Sequence, residues 1–111
     1  MLSHKIAIYI PSTVNGNQPA PVDMIERWVR ASKIKLANLF GGFTTYNGQG
    51  GWYSPEHGLI EENVIIVQAF TDQEGLTKLD KVNELAKEIA SDMGQEMVSV
   101  EVDGTLNFVT A

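Results

Sequence analysis

The amino-acid sequence predicts an α+β fold, a βαββαβ sandwich with one extra C-terminal strand, in which an antiparallel sheet carries two helices on one face. Three observations predict it. Two β-branched runs, 5–10 and 63–70, are apolar on both of their faces, as strands interior to a sheet are. Two longer stretches, about 22–39 and 75–93, switch to helical periodicity. Turn-forming residues separate these segments in an order that leaves room for two further strands and a closing hairpin.

The first strand is Lys5-Ile-Ala-Ile-Tyr-Ile10, with Ile6, Ile8 and Ile10 on one side and Ala7 and Tyr9 on the other. Pro11 to Pro21 is polar, rich in turn formers, and reads as a long loop. The first helix places Ile25, Trp28, Val29, Ser32, Leu36 and Leu39 on one stripe, and Gly41-Gly42 stops it. Residues 43–54 mix strand formers with glycines, as an edge strand with a bulge would. Pro55-Glu-His-Gly58 turns the chain back into 59–71, whose stretch Asn63 to Phe70 is the second interior run. The second helix buries Leu79, Val82, Ala86, Ile89, Ala90 and Met93, with Gly94 just past its end. Met97–Val102 and Thr105–Val109 alternate around Asp103-Gly104, a strong two-residue hairpin signal. The two runs that hydrophobicity makes interior are the first and third strands, the pair that a ferredoxin-like sandwich puts in the middle of its sheet.

With 111 residues the chain is one domain, 1–111, long enough to bury about two thirds of its unfolded surface. A hydrophobic fraction of 43% and a charged fraction of 20% are those of a folded globule. The absence of cysteine removes disulfides, thiol nucleophiles and thiolate metal sites. No apolar run approaches the ~18 residues of a membrane helix, and the start lacks a signal-peptide layout, so the expectation is a soluble, cytoplasmic protein without membrane contact. A net charge of −6 and a pI near 4.7 oppose general nucleic-acid binding. That sum conceals an asymmetry: four of the eight basic residues, Arg27, Arg30, Lys33 and Lys35, fall within nine positions of the first helix.

The stretch 41–53 is the candidate ligand site. Its glycines let a backbone approach a ligand, Thr44, Thr45, Asn47 and Gln49 supply orienting hydrogen bonds, and Tyr46, Trp52 and Tyr53 supply rings for stacking. It matches neither a P-loop nor a dinucleotide fingerprint, and a twisted edge strand whose aromatics cover the core is the plainer reading of the same residues. The helices form a second candidate surface. Arg27 and Arg30 lie on the first, while Asp80, Glu84, Glu88 and Asp92 recur every four residues on the second, as a partner-binding stripe or simply a solvated face would. His57, beside Glu56 and near Glu61 and Glu62, invites an acid–base or metal role, but its place in a turn favours exposure. No cofactor or metal site is read from the sequence. The sheet face away from the helices, with Tyr9, Thr45, Gln68, Phe70, Ser99 and Glu101 as candidates, has no second layer to cover it, which predicts a homo-oligomer, dimer or trimer.

Phe40-Gly-Gly-Phe-Thr44, then Gly50-Gly-Trp52, then Gly58-Leu-Ile-Glu-Glu62 ahead of Val64-Ile-Ile-Val67, resemble the core pattern of uncharacterised small ferredoxin-like proteins of bacteria and phages. More distantly, the layout is similar to PII-type signalling proteins, where a long excursion between the second and third strands binds nucleotides in a trimer. The resemblance implies the fold. With the residues above it supports a non-catalytic, oligomeric binding module that holds or sequesters a small, nucleotide-like molecule at 41–53, helped by the 11–21 loop. An acidic adaptor or inhibitor of a basic partner is the alternative. A small enzyme using His57 or Tyr46 as an acid–base group is a third.

Overall fold

The computed structural model describes all residues, Met1–Ala111. Seven strands and two helices follow in the order β1 (His4–Pro11), β2 (Thr13–Val14), β3 (Gln18–Pro19), α1 (Val22–Phe40), β4 (Thr44–Ser54), β5 (Gly58–Thr71), α2 (Leu79–Asp92), β6 (Met97–Val102) and β7 (Thr105–Thr110). The main sheet is antiparallel with the order β4-β5-β1-β6-β7. β1 and β5 are therefore interior, as their two-sided hydrophobicity predicts, and β7 extends the βαββαβ sandwich at the β6 edge.

The alternation of side chains divides the sheet into two faces. Ile6, Ile8 and Ile10 pair with Ala69, Val67 and Ile65, and this face packs beneath the helices. Val29 and Leu36 of α1 and Val82, Leu85, Ala86 and Ile89 of α2 close the core from above. Burying each large aliphatic side chain there contributes about 1.5–3 kcal/mol against exposure. Ser32, fully buried on the α1 stripe, donates its hydroxyl to the Trp28 carbonyl and so costs little. Gly41, at φ 92°, ends α1 with its N–H on the Ala37 carbonyl, a left-handed position that favours glycine.

Three local expectations change. The 11–21 loop contains the small β2–β3 ribbon, which turns through Asn15 and Gly16, both at positive φ. The helix expected from 75 opens instead with a 3-10 turn, Glu74–Lys78, and becomes α-helical at Leu79. There Gly75 donates to Asp72 and lies so close to Thr71 that a Cβ would clash with its side chain, so the turn takes glycine at this position. The bulge expected in β4 is absent: pairing runs without a break from Thr44↔Gln68 to Ser54↔Gly58. Its glycines take ordinary extended conformations and mark no extra residue; Gly51 serves a close backbone approach, since a Cβ there would meet the Ile60 carbonyl oxygen at 3.0 Å.

That uninterrupted hairpin gives the molecule its shape. β1 accompanies β5 only as far as Pro11↔Val64, so Gln49–Asn63 continues past the body as a two-stranded arm. The molecule measures 46 × 27 × 23 Å.

Candidate functional site

On the open face the register sets side chains in rows. Tyr46, Ile66 and Tyr9 form one row; Thr44, Gln68, Ala7, Glu101 and Leu106 form the next. At the centre Lys5 Nζ lies 2.9 Å from Glu101, and the Tyr9 hydroxyl donates to the same carboxylate at 2.7 Å. Tyr46 reaches Gln68 at 3.3 Å. The charges respond to this geometry. Glu101 is held below the usual carboxylate range, first by Lys5 and then by Tyr9, while Lys5 is raised by the same carboxylate. The Tyr9 phenol, hydrogen-bonded to that anion and partly desolvated, is pushed up to about 12. Around this neutralised centre Phe70, Leu106 and Phe108 stand exposed.

The outer part of the same face belongs to β4. Tyr46, Gly48, Gly50 and Trp52 follow one another along it, so two successive positions between the rings carry no side chain. Gly48 is backed by Ile66 and Val64, whereas nothing lies within 4 Å of where a Gly50 Cβ would be. Glu62, opposite Gly50, accepts a hydrogen bond from Thr13 Oγ1 at 2.8 Å. Gln95 in turn donates to both oxygens of Thr13, and Asn15 N–H bonds the Met93 carbonyl. The 12–20 ribbon is thereby tied between the end of α2 and the base of the arm. The result is a glycine-floored trough with an aromatic ring at each end and a carboxylate on its wall.

The structure divides the residues singled out in 41–53 between the two faces. Thr44, Tyr46 and Trp52 share the open face. Thr45, Asn47, Gln49 and Tyr53 point to the helix side, because they pair with Val67, Ile65, Asn63 and Leu59. Thr45 thus leaves the set expected on the open face, while Tyr9, Gln68, Phe70, Ser99 and Glu101 remain. Lys5 and Thr13 are not among the site residues the sequence marks, and Glu62 is marked there only as a neighbour of His57. Strict alternation places Lys5 with Tyr9, so that signal was present; the meeting of Thr13 with Glu62 depends on where the ribbon folds. His57 is 72% exposed at the hairpin tip, with Glu56 3.9 Å away.

On the helix side, Arg27 and Trp28 Nε1 both donate to Asp92, at 3.1 and 2.7 Å. They border a shallow groove of about 660 Å³ between α1 and α2 that also takes in Glu84 and Glu88. Arg30 is exposed, and Asp80, Glu84 and Glu88 have no cation within ion-pair distance, so the neighbouring helix neutralises only the last carboxylate of the ladder.

No protein-family profile matches the chain, and no curated protein matches its sequence. Solved structures do match in fold. A phage SAM lyase without ligand superposes with a TM-score of 0.66 at 20% identity, over 99% of this chain and 90% of that one. A phage SAM lyase in complex with S-methyl-5′-thioadenosine superposes at 0.62 and 19% identity, over 100% and 94%. CutA from Pyrococcus horikoshii, in the presence of guanidine hydrochloride, superposes more loosely, at 0.49 and 8% identity over 98% and 84%. The chain shares the fold of the two lyase structures. No helix is long and apolar enough to cross a membrane.

Proposed function

We propose that this chain is an oligomeric, non-catalytic module that holds or sequesters a small nucleoside-like molecule in the trough of β4. The observation that carries the reading is the pair of same-face glycines, Gly48 and Gly50, between Tyr46 and Trp52. Two missing side chains leave a flat floor on which a planar ring system can lie, with Tyr46 or Trp52 to stack against it. Charge narrows the class. The trough's ionisable neighbour is Glu62, the one lysine of the open face is paired with Glu101, and the chain carries −6 overall. A neutral or cationic nucleoside derivative meets favourable partners there, including a carboxylate for ribose hydroxyls or a positive centre, whereas a polyphosphate meets repulsion. The fold shared with a phage SAM lyase that binds S-methyl-5′-thioadenosine makes adenosyl sulfonium and thioadenosine compounds the first ligands to try. It also makes a phage-encoded role in removing such a compound from a host a natural one. The exposed Phe70, Leu106 and Phe108 support assembly of several copies through the open face.

The test is a thermal-shift series with SAM, S-methyl-5′-thioadenosine, adenosine and ATP. Binding to the folded chain raises Tm by linkage, by about 2.7 kcal/mol of stabilisation at a hundredfold excess over Kd. The reading expects a shift with the first two, none with ATP, and loss of the shift in Trp52→Ala. A shift with ATP alone would refute the charge argument, and silence from all four would refute the site. Turnover is the second reading, favoured by the Lys5–Glu101–Tyr9 cluster on the same face; mass spectrometry of SAM incubated with the protein separates it from plain binding.

A further inference from the structure

We infer that the arm Gln49–Asn63 is an intermolecular element: its free β5 edge receives β7 of a second copy as an added strand, and that strand completes the trough. The inference rests on the reading of the trough as a ligand site and specifies what closes it.

Three features of the chain meet here. The first is an unfilled strand position. Past Val64 no strand runs along the edge of β5 opposite β4, and Thr13, bonded to Glu62, closes only its inner end, so Gly58–Glu61 presents backbone donors and acceptors to solvent. A lone two-stranded ribbon is marginal in water, and this one exposes Trp52, Tyr53 and Leu59 at 60%, 73% and 65%. The second is an undefended edge. Sheet edges are ordinarily guarded by lysine, proline or a bulge, yet β7 (Thr105-Leu-Asn-Phe-Val-Thr110) has none of these and exposes Leu106 and Phe108. The third is charge, which does not oppose this occupant. Two copies at −6 each repel, and the arm itself carries Glu56, Glu61 and Glu62. β7 holds no charged residue, so it can lie beside those carboxylates without a like-charge clash. With Leu106 and Phe108 on the face that bears Trp52, the incoming strand forms the wall that the trough lacks beside Ile60 and Glu62.

Light scattering coupled to size-exclusion chromatography tests this on the full chain, using Leu106→Lys/Phe108→Lys in β7 and Ile60→Lys in the arm. All three positions have exposed or half-exposed side chains, and circular dichroism confirms that each variant folds. The wild type is expected to be oligomeric, both variants monomeric, and the ligand-induced thermal shift lost together with assembly. Oligomers retained by both variants would overturn the strand pairing and leave the ligand reading standing. A monomeric wild type would overturn the pairing and the assembly half of the proposed function. A ligand shift that survives in a monomeric variant would overturn the shared site alone.

Discussion

β5 passes through two environments within fourteen residues. From Val64 to Gln68 it lies between β4 and β1 beneath α1, and Val67 is wholly buried. From Gly58 to Asn63 it has β4 on one side and solvent on the other, and Leu59 is two-thirds exposed. The same strand is thus scaffold at one end and free surface at the other. Burial fixes the inner half; nothing within one chain does so for the outer half, where the trough ends at the exposed Trp52. Residues that stabilise this protein and residues that give it a use should therefore separate under mutation.

The separation is widest for a core isoleucine against the arm tryptophan. Ile8→Ala, at a fully buried position between β5 and β6, should cost about 2–5 kcal/mol in urea unfolding. Trp52→Ala should leave monomer stability within about 0.5 kcal/mol while removing the ligand shift. Equal costs would erase the distinction. Two glycines sharpen it. Gly75→Ala drives a methyl into Thr71 and should cost roughly 1–3 kcal/mol, whereas Gly50→Ala adds its methyl to open space at no strain and should spare stability but obstruct the trough floor.

The centre of the open face responds to pH in two opposite directions. Glu101 has a depressed pKa, so its contribution is complete above the unfolded carboxylate value and fades as pH falls through the folded one. Tyr9 has a raised pKa, so its contribution is complete below 10.0 and fades as pH climbs through about 12. Ultraviolet titration of the phenols should find one tyrosine ionising near 12, and Glu101→Gln should bring it down. A Tyr9 titration unmoved by Glu101→Gln would show that the hydrogen bond is not the cause. The smallest effect belongs to the acidic ladder. Glu84→Lys removes repulsion from both Asp80 and Glu88 and should stabilise α2 by a few tenths of a kcal/mol, leaving the ligand shift intact.

The body was legible in the sequence because burial writes a periodic signal. Ile6, Ile8 and Ile10 against Ala7 and Tyr9, and the Val29–Ser32–Leu36 stripe, placed the interior strands and the first helix. Asp103-Gly104 gave the last turn, and both residues have the positive φ such a turn demands. Where packing overrides local preference the signal failed. The tight turn takes Gly75 because Thr71 leaves no room for a Cβ, and the bulge inferred from the β4 glycines does not occur, because composition alone cannot tell a bulge from a close backbone approach. The candidate site was half legible. The aromatic and glycine content pointed to the right strand, but Thr45, Asn47, Gln49 and Tyr53 could be assigned a face only once the β4–β5 register was known. Glu62 faces the trough through the β4–β5 register, and the hydrogen bond that brings Thr13 to it spans 49 residues, which leaves no local trace.

Hydrogen exchange read segment by segment, on wild type and on Leu106→Lys/Phe108→Lys, measures most directly whether the arm is an interaction surface carried by a self-sufficient body. The account predicts that Gly58–Glu61 is protected in the wild type and becomes fast in the variant, while Ile6–Ile10 and Val64–Phe70 exchange equally slowly in both. Fast exchange of the arm in both proteins, or loss of protection in the two central strands, would contradict it.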